Sequence, residues 1–279
     1  MKMFEWEQDD GVELTIPSIN GDGLDVPDLN ANENVLRLAR AEALAAEGKA
    51  GIARLRKIAA AMAIQTNDAP PITFTLDDLD EPSYQLVCEV LGHGEVSGQV
   101  SELQPLIIQE SIFPGLWRIK SPDFADAREI LILADVPPML HARATDAMDE
   151  DMTIPQNVQD TMNAMPVLAE IRDRSLAYQA EHTNHIINFT LLPMSEQDMA
   201  LLRDTLGAGH IDLISTGYGA CRVCSTRWPH VWSVQYFNSM EKIILDTLEI
   251  GAIPAAVRAS QEDFQDSAER ILEIIEAYL

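Results

Sequence analysis

The 279 residues of this chain can bury a sizeable core and form two domains of ordinary size. Acidic residues outnumber basic ones by 45 to 19, and the net charge of −26 excludes a nucleic-acid partner, because phosphate binding requires clustered Lys and Arg. The acidic N-terminus lacks the apolar segment of a secretory signal, and no run approaches the roughly 18 apolar residues of a membrane helix. Three cysteines, a small and odd number, indicate a reducing compartment. We therefore expect a cytoplasmic protein without membrane insertion.

The N-terminal part, residues 1–70, is predicted to be an acidic arm followed by a helical segment. Residues 1–32 are rich in Gly, Pro, Asn and Asp, which is typical of a mobile arm or a surface strap. A helical pattern then extends from Asn34 to Ala63, interrupted by Gly48 and Gly51. This pattern contains six of the 19 basic residues: Arg37, Arg40, Lys49, Arg54, Arg56 and Lys57. Two interpretations stay open, a solvated helix face, or a helix that docks on the acidic surface of its own chain or of a second subunit in a homo-oligomer.

An internal duplication organises the rest of the chain. Residues 79–120 and 194–235 align without a gap at a constant offset of 115 positions. The aligned pairs include Leu91-Gly-His-Gly94 with Leu206-Gly-Ala-Gly209, Phe113-Pro114 with Trp228-Pro229, and Trp117 with Trp232. We therefore predict a first repeat at residues 71–145 and a second repeat at residues 185–279.

Each repeat begins with a helix that has recognisable ends. Asp80 and Ser195 occupy equivalent N-cap positions, and Asp198 stands where a capping box requires an acidic residue. Gly92 and Gly207 follow at the positions where a helix commonly ends with a positive φ.

Alternating strands follow each helix, at residues 115–120 and 230–236. In the second copy, Trp232, Val234 and Tyr236 fall on one face. The predicted fold is therefore α+β, with two tandem, internally duplicated modules, each a small antiparallel sheet covered by helices, plus the N-terminal helical arm.

Residues 146–184 are predicted to be a Met-rich helical linker between the repeats. An acidic link, residues 146–151, precedes Pro155 at a predicted helix start, and Pro166 is expected to break or kink that helix. The methionines suit either a docking surface or ordinary core filling. The chain is expected to end in an amphipathic helix that begins at Ser260 and has an acidic outer face.

Cys221-Arg-Val-Cys224 is the strongest candidate for metal or redox chemistry, because a Cys-x-x-Cys can bind zinc or cycle as a dithiol. However, an extended strand would place the two sulfurs on opposite faces, about 10 Å apart along the chain. Cys88 is isolated in a predicted helix, and nothing ties His182 or His185 to the pair. We therefore predict no metal site, with Cys221 and Cys224 as weak candidates.

A group of distinctive side chains in the second repeat suggests partner binding. Tyr, Trp and Arg are enriched at interface hot spots, so the candidates are Tyr218, Arg222, Trp228 and Asn238. A core position also stays open for Trp228, because Phe113 replaces it in the first repeat. No catalytic triad or phosphate-binding loop stands out, so we predict no enzymatic activity, no catalytic residue and no bound cofactor.

Several segments resemble one known family. Residues 215–222, 231–239 and 262–270 are similar to the C-terminal region of the HupH/HyaF hydrogenase expression proteins, a likeness that covers most of residues 190–279. Residues 94–98 and 110–117 resemble the upstream copy of the same family, which extends the likeness over about two thirds of the chain.

The resemblance implies an accessory protein, or chaperone, for maturation of a membrane-bound NiFe uptake hydrogenase. Its implied partners are the iron-sulfur small-subunit precursor, bound before twin-arginine export, and a thioredoxin-like hydrogenase accessory protein. An acidic protein is electrostatically suited to hold such a basic signal. The alternative is a metal or thiol-redox factor that uses Cys221 and Cys224 in iron-sulfur cluster delivery or protection.

Overall fold

The computed structural model describes residues 31–101, 105–121, 128–145, 151–156, 161–179, 183–217 and 219–279. Its α-helices are α1 (Ala31–Leu44), α2 (Lys49–Met62), α3 (Glu81–Leu91), α4 (Pro138–Thr145), α5 (Ala164–Leu176), α6 (Glu196–Leu206) and α7 (Gln261–Tyr278). Its strands are β1 (Ile72–Phe74), β2 (Val96–Val100), β3 (Leu106–Glu110), β4 (Leu116–Lys120), β5 (Ile130–Leu133), β6 (His185–Asn188), β7 (Ala208–Ser215), β8 (Ala220–Thr226), β9 (Val231–Phe237) and β10 (Ile243–Ile250). The predicted arm at residues 1–30 lies outside the described residues.

The chain forms two compact units. Among the described residues, the N-terminal unit contains those from 31 to 138 together with 258–279, and the second unit contains those from 139 to 257. Both are α+β, as predicted.

In the N-terminal unit the strands follow the order β1-β5-β4-β3-β2, with every neighbouring pair antiparallel. Helix α3 begins as predicted, because the Asp80 side chain accepts a hydrogen bond from the backbone N–H of Ser83 at 2.9 Å. It ends at Gly92, whose φ of +53° favours glycine. The predicted ends of this helix are therefore confirmed.

The predicted N-terminal helical pattern is divided into α1 and α2, which are separated near Gly48. Gly51 lies inside α2, where a β-carbon would come within 2.5 Å of the carbonyl oxygen of Ser83 on α3. The absence of a side chain therefore lets α2 and α3 cross closely.

Helix α7 packs in the N-terminal unit rather than with the repeat that precedes it. Its apolar stripe includes Phe264 and Ile271, which are buried in one core cluster with Leu55 and Ile58 of α2. Its N-terminus has the predicted capping box of Ser260 with the Asp at the third helical position. The C-terminal helix thus serves the core of the other unit.

In the second unit the strands follow the order β6-β10-β9-β8-β7, again antiparallel throughout. The unit therefore repeats the N-terminal succession of strand, helix and four strands, and the same strand order. Trp117 Nε1 donates to the carbonyl of Ala134 in the N-terminal unit, and Trp232 Nε1 donates to that of Gly251 in the second unit.

Helices α5 and α6 are joined by a single carboxylate. Asp198 completes the predicted capping box with Ser195 at the start of α6. Its Oδ1 also accepts the backbone N–H groups of residues 162, 163 and 164 at 2.8 to 2.9 Å, at the start of α5. The helix predicted to start at Pro155 is wrong, because residues 152–155 are not helical and α5 begins at Ala164, with Pro166 in its first turn.

Candidate partner-binding site

The two cysteines of the Cys-x-x-Cys lie on strand β8. Cys221 is paired with Tyr236 of β9, and Cys224 is paired with Ser233. Since side chains alternate along a strand, residues three apart point to opposite faces. One metal ion or one disulfide cannot join two sulfurs placed in this way without rearranging the strand.

Burial keeps both thiols protonated. It raises the pKa of Cys221 to about 12, an effect that a hydrogen bond with Tyr236 only partly offsets. It also raises the pKa of Cys224, whose Sγ donates to Asp212 Oδ1 at 3.3 Å. Because the thiolate is the form that binds metals and attacks disulfides, this environment disfavours both kinds of chemistry.

Arg222 forms a bidentate ion pair on the same sheet. Its Nε donates to Asp212 Oδ1 at 3.0 Å and its Nη2 donates to Oδ2 at 2.7 Å. Both side chains are about one quarter exposed, so the pair lies at the boundary between core and solvent. The pair fixes the guanidinium in one orientation at this boundary, where it can present its outer edge to a partner.

Arg222, Gln235 and Asp246 form a polar row across β8, β9 and β10, which ends in the buried carboxylate of Asp246. Gln235 is paired with Arg222 on one side and with Asp246 on the other. The Gln235 Nε2 donates to Asp246 Oδ1 at a long 3.4 Å. Burial raises the pKa of Asp246 to about 6, because this one weak bond replaces little of its hydration.

The N-terminal unit has a tighter polar cluster. Arg118 donates to both oxygens of Glu129 at 2.7 and 2.8 Å and to the carbonyl of Gly92 at 2.6 Å. Burial would raise the pKa of Glu129, but the hydrogen bonds and charge of Arg118 outweigh it and lower that pKa. Cys88 donates to the same carboxylate, and burial raises the pKa of this thiol to about 11. The cluster therefore satisfies its own charges internally.

The turn between β9 and β10 is built by Asn238. Its side-chain oxygen accepts the backbone N–H groups of Met240 at 2.9 Å and Lys242 at 3.0 Å. This bonding holds residues 239–242 in a compact turn at the end of the hairpin, on the side where β8 begins. Asn238 is thus a turn-forming residue that also marks this end of the sheet.

Exposed apolar side chains gather around that end. Met240, in the β9–β10 turn, is 68% exposed, and Ile244, at the bulged start of β10, is 57% exposed. Leu191, 81% exposed, follows Thr190, whose hydroxyl accepts the backbone N–H of Asp246 and so holds this segment beside β10. We call Leu191, Arg222, Asn238, Met240 and Ile244 the hairpin-end surface. Its combination of apolar side chains with one fixed guanidinium is typical of a protein-binding surface.

The structure brings together only part of the predicted site. Arg222 and Asn238 belong to the same end of the β8–β9 hairpin, whereas Trp228 lies in the turn at the other end. Trp228 is 1% exposed and belongs to the core cluster of its unit, so the prediction that it binds at the surface is wrong, and its core alternative describes its position. Tyr218 lies outside the described residues.

The remaining predicted ligands are also separate from the cysteines. His185 bonds Glu170 of α5 at 2.7 Å, and His182 lies outside the described residues. No group of three or more His, Cys, Asp or Glu side chains suited to a metal ion occurs among the residues described. Within the same residues, no helix is both long and apolar enough to cross a membrane.

Comparison with known proteins identifies relatives. Residues 161–278 match the family model described as HupH hydrogenase expression protein, C-terminal conserved region. The hydrogenase expression/formation protein HupH of Rhizobium leguminosarum bv. viciae is 36% identical over 100% of this chain and 99% of its own. HupQ of Azotobacter chroococcum mcd 1, a hydrogenase expression/formation protein, is 42% identical over 72% of each chain.

Two more distant relatives also have names that refer to hydrogenase. The hydrogenase-1 operon protein HyaF of Escherichia coli is 30% identical over 71% of this chain and 70% of its own. A solved structure, the hydrogenase expression protein HupH from Thiobacillus denitrificans, is 26% identical over 42% of this chain and 97% of its own, with a TM-score of 0.38.

Proposed function

The chain belongs to the HupH family of hydrogenase expression/formation proteins, and on that basis we propose that it is a non-enzymatic accessory protein in the maturation of a membrane-bound NiFe uptake hydrogenase. The observation that supports the role most strongly is the match over the whole chain to a relative of that name. Its client is the iron-sulfur small-subunit precursor, which it holds in the cytoplasm before twin-arginine export, beside a thioredoxin-like accessory protein.

Binding, rather than thiol or metal chemistry, fits the geometry of the second unit. Cys221 and Cys224 point to opposite faces of β8, and their raised pKa values oppose formation of thiolates. The hairpin-end surface supplies exposed apolar contacts and the fixed guanidinium of Arg222. The net charge of −26 favours a basic client segment such as a twin-arginine signal.

A duplication accounts for the two similar units. Ser111 and Thr226 are related by the 115-residue offset, and each accepts a hydrogen bond from the backbone N–H two residues later, of Phe113 and Trp228 respectively, at 3.2 Å. We infer that one ancestral unit was copied. The two units now differ in their ion pairs: Arg118 and Glu129 of the first are buried, whereas Arg222 and Asp212 of the second lie at the solvent boundary.

Complementation in cells tests the proposal. A strain that lacks this protein should accumulate unprocessed small subunit and lose uptake hydrogenase activity, and the wild-type gene should restore both. The double variant Met240→Asp and Ile244→Asp should fail to restore them, because it places charge on the apolar contacts of the hairpin-end surface. The matched control is Leu176→Asp, which changes a side chain of similar exposure (68%) at the end of α5.

Variants of the two cysteines test the alternative function, a metal or thiol-redox factor, in the same experiment. Replacing Cys221 and Cys224 with serine should leave hydrogenase maturation intact. Loss of maturation in this variant, with normal folding and with full activity of the Met240→Asp, Ile244→Asp variant, would reject binding at the hairpin-end surface in favour of cluster delivery or protection.

A further inference from the structure

Helix α2 is a basic element in a strongly acidic chain. It contains four cations, Lys49, Arg54, Arg56 and Lys57, and no acidic residue. Arg54 is engaged by Asp78 at 2.8 Å, but Lys49, Arg56 and Lys57 are exposed and form no ion pair with another described residue. The other exposed residues of α2 are all small and apolar, Ala50, Ala53 and Ala60, which allow close approach of another helix.

Helix α7 presents the opposite charge. Its outward side has five exposed acidic residues in a single stripe along the helix: Glu262, Asp266, Glu269, Glu273 and Glu276. Their spacing of four, three, four and three residues places them on one face, opposite the buried stripe of Phe264 and Ile271. The nearby cation Arg270 lies 5.4 Å from the ring centre of Phe113 instead.

These two helices are neighbours in the N-terminal unit. The Gln261 side chain at the start of α7 bonds the carbonyl of Gln65 and the backbone N–H of Asn67, just after the end of α2. Both helices bury their apolar sides in the same core cluster, so α7 runs back along α2 and both direct their other sides away from that core. The Gln261 contact sets the start of α7 beside the end of α2, and both helices rise by the same distance per residue. Lys57 therefore lies at the same height along the helices as Glu269, and Lys49 lies at the same height as Glu276.

We propose that the α2–α7 face is the interface of a symmetric dimer, in which the basic α2 of each chain contacts the acidic α7 of the other. A two-fold axis that runs parallel to the helices, between the two copies, places α2 of each chain opposite α7 of the other. It leaves the height of every residue along the helices unchanged. It therefore sets Lys57 opposite Glu269 and Lys49 opposite Glu276 of the second copy, and every contact occurs twice. A perpendicular axis in the same plane would set like charges opposite each other and is disfavoured.

The size and charge of this face predict a weak dimer. Two helices of this length offer on the order of 400 Å² per chain, about half of what a stable interface buries on each side. The net charge of −26 on each chain opposes association at low salt. Near physiological salt the screening length is about 8 Å, which weakens repulsion between distant charges more than attraction between charges in contact.

Charge reversal tests the pairing. One variant has Lys49→Glu and Lys57→Glu, and the other has Glu269→Lys and Glu276→Lys. Sedimentation equilibrium of the full chain near physiological salt should show wild-type dimers, and each variant alone should dissociate at least about tenfold more readily. A 1:1 mixture of the two variants should associate as the wild type does, because every reversed residue then faces an opposite charge.

The mixture separates this interface from a general effect of charge. All four substitutions are at exposed positions, and circular dichroism with thermal melting checks that both variants fold. A wild type that stays monomeric at about 0.5 mM would overturn the proposal, as would variants that dimerise normally or a mixture that stays monomeric. Because the readout is association of this chain with itself, these results are independent of whether it binds a hydrogenase precursor.

Discussion

Replacing Asp198 with alanine should destabilise the second unit far more than loss of an ordinary helix cap. The carboxylate accepts five hydrogen bonds, from the backbone N–H groups of Met162, Asn163 and Ala164 and from both N–H and hydroxyl of Ser195. Loss of the cap costs about 1 kcal/mol. Removing the acceptor of the N–H groups at the start of α5 adds about 1 to 3 kcal/mol for the buried N–H of Ala164 and less for the partly buried N–H groups of residues 162 and 163, so we expect a total loss of about 3 to 5 kcal/mol.

A second capping box in the same chain provides the matched control. Asp263 forms the same arrangement with Ser260 at the start of α7, but no hydrogen bond from it to another helix is present among the described residues. Asp263→Ala should therefore cost only about 1 kcal/mol. Urea unfolding measures the difference, followed by fluorescence of the buried Trp117 in the N-terminal unit and of the buried Trp228 and Trp232 in the second unit. Equal losses in the two variants would refute the claim that Asp198 joins α5 to α6.

The same carboxylate predicts a pH dependence. Burial would raise the pKa of Asp198, but its hydrogen bonds with Ser195 and the start of α5 outweigh burial and hold the pKa well below its usual 3.8. A depressed folded-state pKa contributes stability that is complete above the unfolded value and is lost as pH falls. The gap between wild type and Asp198→Ala should therefore narrow below about pH 4, and an unchanged gap at pH 3 would contradict this assignment.

Three further predictions concern buried charges and thiols. Arg118→Met should cost about 3 kcal/mol in urea unfolding, because it leaves the buried carboxylate of Glu129 with the exposed Lys120, 3.7 Å away, in place of its bidentate partner. Adding Glu129→Leu should recover most of this loss. Cys221 and Cys224 should resist a thiol reagent at pH 8 until the protein unfolds, and fast labelling in the native state would contradict their raised pKa values. Asp246→Asn should increase the free energy of unfolding at pH 8 by up to about 3 kcal/mol and have less effect at pH 4. The reason is that a carboxyl group with a raised pKa destabilises the fold as pH rises from its pKa in the unfolded chain to its folded-state pKa of about 6. A larger gain at pH 4 than at pH 8 would refute this.

Local signals predicted the elements whose causes are local. The caps at Asp80, Ser195 and Ser260 depend on side chains within three residues, and all three occur as expected. The opposite placement of Cys221 and Cys224 also required only the alternation of a strand. In contrast, the helix start predicted at Pro155 is wrong, because the deciding acceptor for α5 is Asp198, more than thirty residues away.

The candidate surface depended on tertiary packing and was only partly predictable. Trp228 and Arg222 lie six residues apart, and only the hairpin geometry assigns one to the core and the other to the solvent boundary. Met240 and Ile244 were not predicted, although for Met240 an apolar residue inside an Asn-initiated turn is a signal that the sequence contains. The packing of α7 on α2 was also not predicted, because it joins residues almost 200 positions apart.

Direct titration of the purified full chain with the hydrogenase small-subunit precursor tests the proposed chaperone role. The precursor is compared with a form that lacks its twin-arginine signal, and the Met240→Asp, Ile244→Asp variant is compared with Leu176→Asp. We expect signal-dependent binding by the wild type and by Leu176→Asp, and at least about tenfold weaker binding by the hairpin-end variant. Absence of binding to the precursor, or equal binding by both variants, would contradict this role.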